Sequence, residues 1–139
     1  VNNKGRPIQQ SPTVSLLIEK VNQLMKDASL SDCYHEYNAC LQNWYTPEDT
    51  MGLHSDDEDY LYANYPIFSL SWGGPRRFLL RPKTKQDETV QVWLEDGDLL
   101  IMGGACQKTH KHEVPKQRLK DPLTSNRINW TIRAIKTSS

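Results

Sequence analysis

The sequence predicts a mostly β fold: a double-stranded β-helix (jelly roll) with one N-terminal helix packed outside it. Three observations predict this. One early segment carries apolar residues at helical spacing. After it the chain becomes a series of short apolar runs cut by glycine and proline clusters. Near the end, Arg127–Ile135 alternates between an apolar and a polar face. One helix followed by many short strands suits two packed sheets with a helix laid on the outside.

The elements follow in order. Residues 1–12 are polar, contain Gly5, Pro7 and Pro12, and read as an extended arm. Ser11-Pro12 suits a helix start, with Ser11 as N-cap and Pro12 at the first helical position. Val14, Leu17, Ile18, Val21, Leu24 and Met25 then predict a helix over about 12–28. Strands are predicted at Ala39–Tyr45, Ile67–Trp72, Phe78–Arg81, Thr89–Leu94, Leu99–Met102 and Arg127–Ile135. Pro47, Gly52, Gly73-Gly74-Pro75, Gly97 and Gly103-Gly104 punctuate them. There is no internal repeat and no low-complexity tract.

The 139 residues suit one domain with one core, an arm and helix over about 1–30 and a jelly-roll core over about 38–136. Apolar content of 37% and charged content of 24% are ordinary for a globular chain. No apolar run is long enough to span a bilayer, and no signal segment opens the chain. The start at Val1 rather than Met predicts a trimmed chain or a domain cut from a longer polypeptide. Cys33, Cys40 and Cys106 are an odd set without scaffold spacing, which predicts free thiols in a reducing compartment, cytoplasmic or nuclear. A formal net charge of zero announces no polyanionic partner. The distribution says more: Glu48 to Asp59 is acidic, and Arg76 to Lys85 is basic. One face could therefore meet phosphates while a nearby pocket gathers carboxylates around a metal.

His54-Ser55-Asp56 places a nitrogen and a carboxylate two residues apart. In extended chain both point to one face, and a distant histidine, His110 or His112, would complete a two-His, one-carboxylate triad of the kind that holds non-haem Fe(II). An isolated H-x-D is more often a surface tripeptide than a metal site. The last strand raises its weight. Arg127, Asn129, Thr131 and Arg133 share one face, and two arginines aimed into a core are costly unless they meet anions. A dicarboxylate would supply them through paired hydrogen bonds. The alternative is a solvent-facing strand with ordinary surface arginines.

Four blocks, in order from about Asn38 to Ile135, carry a resemblance to the AlkB family of nucleic-acid dealkylases. They are Asn43-Trp44-Tyr45 leading to His54-Ser55-Asp56-Asp57-Glu58, then Pro66–Ser71 with Arg76–Lys83, then Gly97–Met102 ending at His112-Glu113-Val114-Pro115, and finally Arg127-x-Asn129-x-Thr131-x-Arg133. The resemblance implies that His54, Asp56 and His112 bind Fe(II), with His112 selected over His110 by family spacing. It implies that Arg127 and Arg133 hold 2-oxoglutarate, with help from Asn129, Asn43 and Tyr45. Glu58 matches a carboxylate that contacts the damaged base, and Arg76, Arg81 and Lys83 fall where family members touch the nucleic-acid backbone. For these three the alternative is a solvated basic turn.

The implied reaction is oxidative demethylation of N1-methyladenine or N3-methylcytosine in DNA or RNA by a monomer. It would consume O2 and 2-oxoglutarate and release formaldehyde, succinate and carbon dioxide. The flipping of the base from its stack would be offset by aromatic stacking and phosphate-binding cations. The chain departs from the family pattern where an N-terminal lid is expected, which predicts a lid removed with the preceding chain or reduced: before Asn38 only Tyr34 and Tyr37 are aromatic. Trp44 and Trp72 are expected in core or strand packing, and Tyr60, Tyr62 and Tyr65 at the substrate entrance. The competing functions are the same oxygenase chemistry on a protein side chain or small molecule, and a non-catalytic jelly-roll binding module.

Overall fold

The computed structural model describes residues 11–28, 35–84, 87–118, 121 and 125–137. The expected arm over residues 1–10, Cys33 and Tyr34 lie outside the described residues. Among the described residues no helix is long and apolar enough to cross a membrane.

Helix α1 runs Pro12–Asp27, as its spacing predicts. The Ser11 side chain accepts a hydrogen bond from the Val14 N–H at 3.2 Å, satisfying one orphan donor of the first turn, and Pro12 contributes a preset φ there. Its apolar stripe buries Ile18 and Met25 against Tyr37, Phe68, Ile132 and Ala134. Tyr37, one of the two aromatics before Asn38, is a core residue, donating its hydroxyl to the Pro66 carbonyl at 2.6 Å.

Eight strands follow: β1 Ala39–Tyr45, β2 Met51–His54, β3 Ile67–Gly73, β4 Arg76–Pro82, β5 Val90–Leu94, β6 Leu99–Met102, β7 His110–Val114 and β8 Arg127–Arg133, with a short helix α2 at Cys106–Thr109 before β7. They form two four-stranded antiparallel sheets, ordered β1-β8-β3-β6 and β2-β7-β4-β5. The chain thus crosses between sheets at almost every connection. Ile67, Phe78, Leu94, Met102 and Val114, drawn from both sheets, fill the space between them. The helix covers the outer face of the first sheet.

The β3–β4 crossing depends on glycine. Gly73 has φ +87°, and a Cβ on Gly73 or Gly74 would collide with the backbone of Asn126 or Ser125. The close approach feeds the chain into β8, where the Gly74 N–H donates to the Asn126 carbonyl at 3.0 Å.

Two strands escape the hydrophobic pattern. Strand β2 has four residues, includes Gly52, and shifts register against β7. In β7 the inward positions are His112 and Val114, so its alternation is only half apolar. The tryptophan expectation needs correction in part. Trp72 packs edge-on against Trp130 at 5.7 Å, but Trp44 is 60% exposed on the outer face of β1 and belongs to no core.

Candidate metal centre and arginine strand

Strand β2 ends on His54 directly opposite His112 of β7, so the antiparallel register brings the two rings together with centroids 4.3 Å apart. Asp56, two residues past the strand, turns inward and is 6% exposed. Its Oδ1 lies 3.5 Å from His54 Nε2 and its Oδ2 3.9 Å from His112 Nε2. One ligand atom from each of the three residues lies within 4.8 Å of the other two. His110 stands outside this group, its Nδ1 2.8 Å from the Thr109 hydroxyl.

The histidines are prepared for a cation. His54 Nδ1 is 2.7 Å from the Gly52 carbonyl, which can only accept, so in the neutral ring Nδ1 carries the proton and Nε2 presents the lone pair to the cluster. Burial holds His112 down to about pH 4 for protonation, with Asp56 opposing the shift and His54 and Arg133 adding to it. The ring, stacked on Phe78 at 5.4 Å, is therefore neutral at ordinary pH and need not lose a proton to bind metal.

Strand β8 lies between β1 and β3 and turns its polar face inward. Arg127, Asn129 and Thr131 are at most 7% exposed, which answers the choice between a solvent-facing and an inward-facing strand. Arg127 Nη2 donates to Ser71 Oγ and Asn129 Oδ1, both at 2.9 Å. Ser69 Oγ donates to the same Asn129 oxygen at 2.8 Å, and Asn129 Nδ2 donates to Thr131 Oγ1 at 2.8 Å. The Tyr45 ring lies 5.4 Å from the Arg127 guanidinium carbon. Arg133 Nη2 reaches Asp56 Oδ1 at 2.9 Å. Among the described residues no carboxylate pairs with Arg127, and the buried Nε atoms of Arg127 and Arg133 have no hydrogen-bond partner. Burial accordingly pushes the Arg127 guanidinium down, with Tyr45 opposing and Arg76 adding. A buried, unpaired guanidinium facing a cavity fits an incoming carboxylate.

That cavity is about 220 Å³ and is lined by every residue expected at the metal and at 2-oxoglutarate: His54, Asp56, His112, Asn43, Tyr45, Arg127, Asn129 and Arg133. Glu58 and Tyr60 stand at its edge, while Tyr62 and Tyr65 line a neighbouring cavity of about 290 Å³ that shares the Asp56–Arg133 wall. The serines of β3 were missed as site residues. Their signal was present, since Ser69 and Ser71 interrupt an apolar strand on the face that pairs with Asn129.

The three candidates for backbone contact in the basic hairpin sit in different surroundings. Arg76 is 3% exposed and donates to the carbonyls of Thr46, Asp49 and Pro115 at 3.1, 2.6 and 3.2 Å. It has no free face for a phosphate and ties the β1–β2 connection to the chain after β7. Arg81 is exposed but pairs with Glu113 at 2.6 Å, and Lys83 donates to the Gln107 carbonyl at 2.8 Å beside Asp57. Arg76→Met should leave three carbonyls short of a donor and lower stability by roughly 3 kcal/mol. Urea unfolding should show this as a lower midpoint with an unchanged slope. Unaltered stability with weakened nucleic-acid binding would restore the phosphate role.

Two antiparallel sheets enclosing a His-x-Asp…His cluster, with an arginine strand facing it, are the site architecture of the Fe(II)- and 2-oxoglutarate-dependent oxygenases. The family model of the 2OG-Fe(II) oxygenase superfamily matches residues 2–133. The chain is 38% identical over 111 residues to the mouse protein "Alpha-ketoglutarate-dependent dioxygenase alkB homolog 3", covering 73% of this chain and 37% of that one. It is 30% identical over 105 residues to the Arabidopsis thaliana "DNA N(6)-methyladenine demethylase ALKBH1C", covering 68% of this chain and 23% of that one. The solved structure of OsALKBH1 superposes with a TM-score of 0.65 at 26% identity, over 92% of this chain and 67% of that chain. The chain belongs to the 2OG-Fe(II) oxygenase superfamily and, within it, is AlkB-like. It spans little more than a third of the length of the mouse relative.

Proposed function

We propose that this chain is the catalytic domain of an Fe(II)- and 2-oxoglutarate-dependent dioxygenase that demethylates N-alkylated nucleic-acid bases, built on a jelly roll. The observation that carries it is Arg127, buried without a carboxylate partner among the described residues and lining the same cavity as His54, Asp56 and His112. The strand orders of the two sheets, with the chain crossing repeatedly between them, support the jelly-roll reading.

His54, Asp56 and His112 would hold the iron. Arg127 and Arg133 would take the carboxylates of 2-oxoglutarate, with Asn129, Asn43 and Tyr45 shaping the cavity around it. When bound, iron and 2-oxoglutarate supply the oxidising chemistry with O2: the co-substrate leaves as succinate and carbon dioxide, and the N-methyl carbon leaves as formaldehyde. The chain's own residues bind and orient. Ser71 and Asn129 fix one Nη of the Arg127 guanidinium at the cavity wall. Phe78, Val114 and Met102 keep its floor apolar. Glu58, at the cavity edge, would contact the polar edge of the extruded base, and Tyr60 beside it offers a ring to stack on. The demethylase named among the relatives supports a nucleic-acid substrate.

Oligonucleotides carrying N1-methyladenine or N3-methylcytosine, as DNA and as RNA in parallel, test this. The expected result is formaldehyde release from at least one polymer that stops when iron or 2-oxoglutarate is omitted. Succinate without formaldehyde from either polymer would move the substrate to a protein side chain or small molecule.

A further inference from the structure

The carboxylate of Asp56 is contested. Arg133 donates to its Oδ1 at 2.9 Å, while the two histidine nitrogens stand 3.5 and 3.9 Å away. A carboxylate left to itself would turn both oxygens to the guanidinium, since a bidentate pair is the stronger arrangement. Asp56 lies beyond the end of β2, so no ladder hydrogen bonds hold its backbone. Something else must fix it.

Helix α2 does so. Gln107 Oε1 accepts the Asp56 N–H at 2.9 Å, across 51 residues of sequence. The flanking residues are tied to the same region: Ser55 Oγ donates to the His110 carbonyl at 2.9 Å, and Asp57 lies 3.7 Å from the Lys83 ammonium, which itself donates to the Gln107 carbonyl at 2.8 Å. Three successive residues of the ligand loop are thus fastened to the segment leading into β7, the strand that carries His112. The other end of the Gln107 side chain rests on Met102 Sδ at 3.7 Å, at the wall of the inter-sheet core.

We propose that Gln107 is a positioning residue for the metal centre: by accepting the Asp56 amide it sets the carboxylate so that one oxygen meets Arg133 while the other is kept for the cation. The inference rests on the metal-centre reading given above. It also gives Lys83 a place in the loop clamp, separate from any contact with nucleic acid.

Titration calorimetry with Mn(II), in the presence of 2-oxoglutarate, tests it on four proteins. Gln107→Leu keeps the size and the contact with Met102 but cannot accept. Its Mn(II) dissociation constant should rise about 10- to 100-fold, the range seen when partners of metal ligands are removed. Gln107→Glu restores an acceptor and should bind within about 3-fold of the wild type, far inside that range. With Co(II), the visible absorption of Gln107→Leu should differ from the wild type, a change that loosened packing alone would not produce. Wild-type affinity in Gln107→Leu, or equal weakness in Gln107→Glu, would overturn the proposal while the metal centre stands. His112→Ala is the fourth protein: if it binds Mn(II) as the wild type does, the metal centre itself is wrong and the inference falls with it.

Discussion

His112→Ala should weaken Fe(II) or Mn(II) binding by more than about 100-fold, because losing a direct ligand exceeds the 10- to 100-fold cost of losing a ligand's partner. His110→Ala should stay within about 3-fold of the wild type on the same scale. The two histidines are two residues apart, so the contrast tests geometry rather than composition. His112 faces His54 across the β2–β7 pair and is 3% exposed, whereas His110 is bonded to Thr109 and lies outside the ligand group. His112 is also held neutral by burial, so its contribution to metal binding should persist well below the pH at which an ordinary histidine is lost. The reverse result, binding lost in His110→Ala and kept in His112→Ala, would mean that β7 is placed two residues out of register.

What could be read from the sequence divides along physical lines. The helix and six strands announce themselves through helical spacing, short apolar runs or alternation. The strands β2 and β7 do not, although they carry two of the three candidate ligands. Their inward positions are occupied by His54, His112 and Val114, and a strand whose buried face binds something polar has no hydrophobic alternation to show. The β8 strand shows the converse. Its alternation was plain, but the polar side proved to be the interior one, where Arg127, Asn129 and Thr131 meet the serines of β3 and one another, and nothing in the alternation itself says which face is inward. Arg76 illustrates a further limit. Its position in a basic run suggested a phosphate contact, but the three carbonyls it satisfies come from segments 27 to 39 residues away. Gln107 was invisible for the same reason: nothing local marks a side chain whose partner is an amide 51 residues distant.

Arg127→Met should raise the 2-oxoglutarate dissociation constant by about 100-fold or more, since truncating one member of a buried charge pair costs roughly 2–5 kcal/mol. The same substitution should leave the ligand-free chain as stable as the wild type, or more so. Without a bound anion, Arg127 is a cation at 2% exposure with no carboxylate partner among the described residues. Its compensations are two neutral hydrogen bonds to Ser71 and Asn129 and the face of Tyr45. An apolar side chain of similar length removes the desolvation cost, and Asn129, which lines the cavity, keeps its hydrogen bonds with Ser69 and Thr131. Saturating 2-oxoglutarate should then raise the thermal midpoint of the wild type but not of the variant, because ligand stabilises only the state that binds it. Arg127→Lys keeps the charge without the planar fork and should recover only part of the affinity. A structural arginine gives the opposite signature, as expected for Arg76: stability falls on truncation and ligand affinity is secondary. If Arg127→Met behaves in that way, with a lowered midpoint and unchanged 2-oxoglutarate binding, Arg127 belongs to the scaffold and the co-substrate must sit elsewhere in the cavity.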